Sequence, residues 1–211
     1  MRSQTRFIFF DMGKVLLDFD HARINQQVGK LAGIEPAIIK SLLFEPPFDL
    51  ENRFERGELN ADEFHSEFCA RAETQVQKQA LLRAVSEIFW LNVSIMPILS
   101  QLSSINFPMA VLSNTCSAHW EYARETFACM GLFRDAVLSY EEKSMKPDPV
   151  IYQSAIKLAQ ERTGCDINQI FFTDDRQENV DAAKEAGIDA ELFTDSRTLL
   201  KFMVQRGIPV G

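Results

Sequence analysis

Four stretches of this 211-residue chain place reactive side chains at the ends of apolar runs or just before a helix. "FIFFDMG" carries four apolar residues into Asp11, with Gly13 two positions on. "MAVLSNT" delivers Ser113, Asn114 and Thr115, and "QIFFTDD" delivers Asp174 and Asp175. Lys146 stands in "KSMKPDPVIY", just ahead of a helix start. Two or three carboxylates brought together repel one another unless a cation or a proton sits among them. Oxygen ligands without His or Cys favour a hard ion, for which Mg2+ is the natural choice. A lysine near a helix N-terminus is suited to neutralising a phosphate or an anionic intermediate.

These groups meet only if the apolar runs are neighbouring parallel strands. The runs "RFIFF", "MAVLSN", "AVLS", "QIFFTDD" and "AELFTD" are continuous rather than alternating, as expected of strands covered on both faces. Helical stretches separate them, which predicts a doubly wound, Rossmann-like α/β core with a five-stranded parallel sheet. In "KPDPVIYQSAIKLAQ", Asp148 is the expected N-cap and Pro149 the first helical residue. "QENVDAAKEAG" is expected to stop at Gly187.

Residues 19–92 read as helices only. Ile24, Val28 and Leu31 share a face that ends at Gly33, Asn60 and Glu63 make a capping-box start, and Val76, Ala80, Ala84 and Ile88 mark a further helix. The expected division is therefore a core of residues 1–18 and 93–211 with a helical cap of residues 19–92. An insert after the first strand would cover the carboxyl ends of the strands, where open α/β sheets bind ligands.

The composition, 46% hydrophobic and 25% charged, fits a globular protein of this size. A net charge of −8 argues against nucleic acid as a partner, because phosphate backbones need a basic face. No run approaches the roughly 18–20 apolar residues of a membrane span, and the N-terminal apolar run is too short for a signal peptide. Cys69, Cys116, Cys129 and Cys165 form no Cys-x-x-Cys pair and read as buried thiols in a reducing cytoplasm. The expected partner is a small metabolite; the sequence carries no sign of oligomeric state.

The motifs "FFDMGKVLLD", "VLSNT", "KPDPVIY" and "FFTDDRQENVDAA", in this order across Phe7–Ala183, resemble those of the haloacid dehalogenase superfamily. The helical insert is similar to that family's C1 cap. The resemblance implies hydrolysis of a small phosphorylated metabolite. Asp11 would be the nucleophile that forms an aspartyl-phosphate. Ser113 and Asn114 would bind the phosphoryl group, and Lys146 would bridge nucleophile and phosphate. Asp174 and Asp175 would hold Mg2+ with Asp11, and the Gly13 backbone carbonyl would be a further ligand. Elementary chemistry agrees, since a carboxylate attacking a phosphate dianion needs positive charge nearby.

The departure is at Gly13. Most of the family's phosphatases carry a second Asp there, which protonates the leaving oxygen. Its loss predicts a preference for good leaving groups, as in the similar Asp-x-Gly subgroup that includes sugar-1-phosphate phosphatases, or a proton supplied by water or the cap. Two alternatives stand beside this reading: a 2-haloacid dehalogenase, and a catalytically weak metabolite-binding or regulatory protein. Lys14 is expected to have no catalytic role and Asp18 to shape the hinge. His21, His65 and His119 form no triad and read as structural or surface residues. Phe44, Phe48 and Phe54 read as cap core, with some lining a pocket.

Overall fold

A computed structural model of the chain describes residues 4–210; Met1–Ser3 and Gly211, parts of the expected core, lie outside the described residues. Strand β1 (Phe7–Phe10) and the short β2 (Leu17–Phe19) lead into helices α1 (Ala22–Ala32), α2 (Pro36–Phe44), α3 (Leu50–Glu55), α4 (Ala61–Arg71) and α5 (Lys78–Ser86). Strand β3 (Phe89–Leu91) follows, then α6 (Met96–Ser104), β4 (Met109–Ser113), α7 (Ser117–Thr126), β5 (Asp135–Leu138) and α8 (Ser139–Glu142). The chain ends with α9 (Pro149–Thr163), β6 (Ile170–Asp174), α10 (Gln177–Glu185), β7 (Asp189–Leu192) and α11 (Ser196–Gln205).

Five strands form one sheet in the order β5-β4-β1-β6-β7, every neighbouring pair parallel. Successive strand residues point to opposite faces, so the continuous apolar runs supply two cores at once. Ile8, Phe10, Val111 and Phe171 pack on α6 and α11 through Leu99, Leu102, Leu199 and Met203. Phe7, Phe9, Leu112 and Phe172 pack on α9 and α10 through Ile151, Ala155, Val180 and Ala183. Burying each such Phe fully contributes about 1.5–3 kcal/mol.

Helices α1 to α5 have their own apolar cluster, which includes Ile24, Val28, Phe54, Phe64 and Phe68 and extends to Cys116 and Ala118 of the β4–α7 region. The expected helix signals are present. Asn60 and Glu63 form a reciprocal capping box, Asp148 accepts from the Val150 N–H ahead of Pro149, and Gly33 and Gly187 adopt positive φ just past their helices. All four cysteines are buried and free.

Three expectations are corrected. Residues 19–92 are not helical throughout, because β3 pairs antiparallel with β2, Leu17 opposite Leu91 and Phe19 opposite Phe89. The partner strand lies far off in sequence, so no local pattern announces it. Leu31 is exposed rather than part of the α1 core face. In α5 the buried residues are Leu81, Val85 and Ser86; Val76 precedes the helix and Ile88 follows it. Among the described residues no helix is long and apolar enough to cross a membrane.

Candidate active site

Register fixes where the strand ends fall. Phe10 of β1 lies opposite Val111 of β4 and Thr173 of β6, so Asp11, Leu112 and Asp174 follow at one level just past the end of β1. The Asp11 N–H continues the ladder by donating to the Thr173 carbonyl at 3.0 Å. Asp11, the end of β4 and Asp174 are thereby gathered at one edge, at the centre of the sheet.

Lys146 joins them from the loop between α8 and α9. Its ammonium donates to Asp11 Oδ1 at 2.8 Å, to Asp174 Oδ2 at 2.6 Å and to the Leu112 carbonyl at 2.9 Å. Three donors thus meet three acceptors in a site where Lys146 is 4% exposed. Asn114 fixes the loop: its Nδ2 donates to the Lys146 carbonyl at 2.9 Å, and its Oδ1 accepts from the Lys146 N–H at 2.7 Å. The side-chain amide of Asn114 is therefore committed to holding Lys146.

Burial pushes the Asp11 carboxyl up to about 7; Lys146 pulls against this, while Asp174 and Asp175 push further up. Burial would lower the Lys146 ammonium, but Asp11 and Asp174 outweigh it and hold it above its ordinary value. Asp174 is fully buried, and Lys146, the Asn179 amide and the Arg176 N–H all donate to it. Asp175 is only partly buried, and both burial and Asp174 raise its pKa. Asp11, Asp174 and Asp175 each offer an oxygen, and these lie within 4.8 Å of one another. One ammonium among three acids leaves negative charge over. Asn179 adds a buried side-chain oxygen without a hydrogen-bond partner. This hard-oxygen set is of the kind that holds Mg2+.

A pocket of about 220 Å³ opens above the cluster. Asp11, Gly13, Lys146 and Asp175 line its floor; Phe19, His21, Asn52, Glu55, Phe89 and His119 line the rest. Ser113 ends β4 at 1% exposure, its hydroxyl donates to the Asn114 carbonyl at 3.3 Å, and it is not among the lining residues, whereas Thr115 is. The Gly13 carbonyl accepts from the Val15 N–H at 2.7 Å. The left-handed residue of this turn is Lys14, at φ 58, and not Gly13. A Cβ on Gly13 would lie 2.8 Å from Cε1 of Phe19, so the missing side chain leaves room for that ring. Lys14 turns away, donating to the Phe19 carbonyl at 2.7 Å and lying over the Phe19 and Trp90 rings.

Several residues here escaped the sequence reading. Two of the three histidines, His21 and His119, line the pocket, whereas His65 lies 2.7 Å from the Val76 carbonyl. The pocket's aromatics are Phe19 and Phe89, while Phe54 lies in the cap core. Glu51 on α3 is 2% exposed, and neither of its oxygens has a hydrogen-bond partner. His119 Nε2 lies 3.3 Å from Glu51 Oε1, but the ring bonds the Val85 carbonyl instead. Burial pushes Glu51 well up and His119 down to about 4, so burial favours the neutral form of each. The capping pattern of α4 was readable nearby, but the burial of Glu51 depends on α7 packing across it.

A sequence model described as haloacid dehalogenase-like hydrolase matches residues 5–187. The HAD family enzyme BT-2542 of Bacteroides thetaiotaomicron, solved with magnesium and inorganic phosphate, is 24% identical at a TM-score of 0.74, over 90% of this chain and 95% of that one. A predicted HAD-like family hydrolase from Porphyromonas gingivalis is 18% identical at 0.77, over 96% and 98%. The L-2-haloacid dehalogenase RSc1362 is 20% identical at 0.64, over 96% and 100%. These likenesses are likenesses of fold.

Proposed function

We propose that this chain, which belongs to the haloacid dehalogenase-like hydrolases, is a Mg2+-dependent phosphatase of a small phosphorylated metabolite. The observation that carries this reading is the convergence of Asp11, Asp174 and Asp175 around a single ammonium. Attack on phosphorus needs the further positive charge that such a cluster attracts, whereas attack on the carbon of a haloacid has no use for a divalent ion. The magnesium and phosphate bound by BT-2542 support the same choice.

Bound Mg2+ would supply positive charge to offset repulsion between the nucleophile and the phosphate. Asp11 and Asp175, which line the pocket, would hold it, with Asp174 and Asn179 behind them. The Gly13 carbonyl keeps one lone pair for the same purpose. Asp11 attacks phosphorus and carries the phosphoryl group as an aspartyl-phosphate, which splits one hard step into two easier ones. Lys146 favours the ionised form of Asp11 against the effect of burial and then faces the transferring group. Asn114 holds Lys146 in place, and Ser113 meets a phosphoryl oxygen once its hydroxyl turns from the Asn114 carbonyl.

A pocket of about 220 Å³ suits a small metabolite rather than a polymer. Were no other residue to donate the proton that a side chain at Gly13 would have given, a sugar 1-phosphate would be favoured, since an anomeric oxygen is a less basic leaving group. The test is phosphate release from sugar 1-phosphates, sugar 6-phosphates and aryl phosphates, with Mg2+ and with a chelator. Release that requires Mg2+ supports the reading. Halide release from a 2-haloacid without added metal would replace it with dehalogenation.

A further inference from the structure

Every acid on the sheet edge already has work in the proposed reaction. Asp11 attacks, Asp174 is held by Lys146 and Asn179, and Asp175 faces the cation position. Gly13 has no side chain. An in-line displacement at phosphorus expels the leaving oxygen on the side away from Asp11, toward the wall built by the helical insert. The proton donor, if the protein supplies one, belongs on that wall.

We propose that Glu55, at the C-terminal end of α3, is the general acid that protonates the leaving oxygen and the base that then activates water, in place of the side chain Gly13 lacks. This rests on the phosphatase reading above. Glu55 lines the pocket together with Asp11 and Gly13. Its carboxyl has no hydrogen bond or ion pair among the described residues, so its proton is free for a ligand. Its backbone, by contrast, is pinned to the core: the Ser139 hydroxyl lies 2.6 Å from the Glu55 carbonyl and 3.0 Å from that of Thr115. Two residues on, Gly57 sits so close to the core that a Cβ there would be 2.2 Å from the Tyr140 carbonyl oxygen. A free carboxyl on a pinned backbone is what a positioned acid requires.

The electrostatics agree. Burial pushes Glu55 up to about 7, with Asp49 adding to the rise and Lys146, Arg176 and Arg56 opposing it. Asp11, Asp175 and His21 also face the pocket. Bound Mg2+ would lower the value and a phosphate dianion would raise it, so the two offset each other. An acid near the working pH can both give and retake a proton. The competing donor is His21, held against the Phe19 and Phe44 rings. Burial lowers its pKa from 6.5, which leaves it unprotonated at neutral pH.

In the first half-reaction an Asp11 oxygen bonds to phosphorus and the P–O bond to the leaving group breaks. That electron pair stays on the leaving oxygen, which takes the Glu55 proton. In the second half, the Glu55 carboxylate takes a proton from water as the water oxygen bonds to phosphorus. The Asp11–phosphorus bond then breaks, releasing phosphate and restoring both carboxyl groups.

The test compares kcat/KM for wild type, Glu55→Gln and His21→Asn on a graded series of aryl phosphates plus one alkyl phosphate, with Mg2+, from pH 5 to 9. Wild type should depend weakly on leaving-group pKa and lose activity on an alkaline limb. Glu55→Gln should lose about 10²–10⁴-fold on the poorest leaving groups and far less on the best, and its alkaline limb should vanish. Glu55→Gln is close to isosteric; its circular dichroism and melting curve should match wild type. An equal loss across the series would make Glu55 a binding residue and overturn the proposal. A steepened slope in His21→Asn with none in Glu55→Gln would overturn it in favour of His21. Wild type with no phosphate release on any substrate would instead remove the phosphatase reading beneath it.

Discussion

Asp11 and Asp174 on the sheet edge share the Lys146 ammonium at 2.8 and 2.6 Å, whereas Glu51 and Glu55 on α3 touch no ammonium or guanidinium among the described residues. Asp11, Asp174 and Glu51 are buried and Glu55 is partly buried, and a buried carboxylate is costly unless a counter-charge or a proton accompanies it. The sheet edge uses the counter-charge. The helix has no such counter-charge, and burial raises both glutamates; on the sheet edge burial raises Asp11 as well, to about 7, but there Lys146 pulls against it. The difference separates groups kept for charge from groups kept for proton exchange or for neutral packing. Substitutions on each side test whether it is real.

The largest effect is expected at the sheet edge. Asp11→Asn keeps the volume and removes the nucleophile, so phosphate release should fall by more than about 10³-fold with the fold intact. Near-normal turnover in a sample free of other phosphatases would dismiss Asp11 as nucleophile. Lys146→Met comes next: it strands two buried acids and should cost about 3–5 kcal/mol in metal-free denaturation. Millimolar Mg2+ should recover part of that loss, because a cation can replace the ammonium. An unchanged melting temperature would mean that the counter-charge is not what holds the edge together.

Gly13→Asp adds an acid to the charged side without a partner. The backbone tolerates a side chain, but its Cβ meets the Phe19 ring at 2.8 Å. Stability should drop by about 1–3 kcal/mol as the ring moves, and denaturant midpoints read this directly. A neutral result would show that Phe19 gives way freely.

The smallest effect lies on the helix side. The folded-state pKa of Glu51 is raised above 4.5, so the folded protein keeps a proton that the unfolded chain has lost. The contribution of Glu51 is therefore full below about 4.5 and is lost as pH rises through the folded value. Glu51→Gln has no such loss. Between pH 5 and 8 the variant should gain stability relative to wild type as pH rises. Parallel stability–pH curves for the two proteins would mean that Glu51 is not held protonated.

The same contrast explains what the sequence disclosed. The charged edge is built from strand ends, and continuous apolar runs that stop on Asp11, Ser113 and Asp174 are visible without coordinates. So were the sheet, the strand runs and the capping of α4 and α9. Glu51, Glu55 and His119 look like ordinary helical residues, because their burial comes from packing across the cleft. Strand β3 was hidden for a similar reason, since its partner β2 lies at the other end of the insert. The commitment of the Asn114 side chain to the Lys146 backbone was equally invisible, because it depends on a loop contact 32 residues away.

The most direct measurement is to quench the enzyme in acid during turnover of a good aryl phosphate with Mg2+, and to map the phosphorylated residue by mass spectrometry. One acid-stable, base-labile phosphoryl group is expected, on Asp11. A phosphoryl group on another side chain, or continued turnover with Asp11 unmodified, would contradict this.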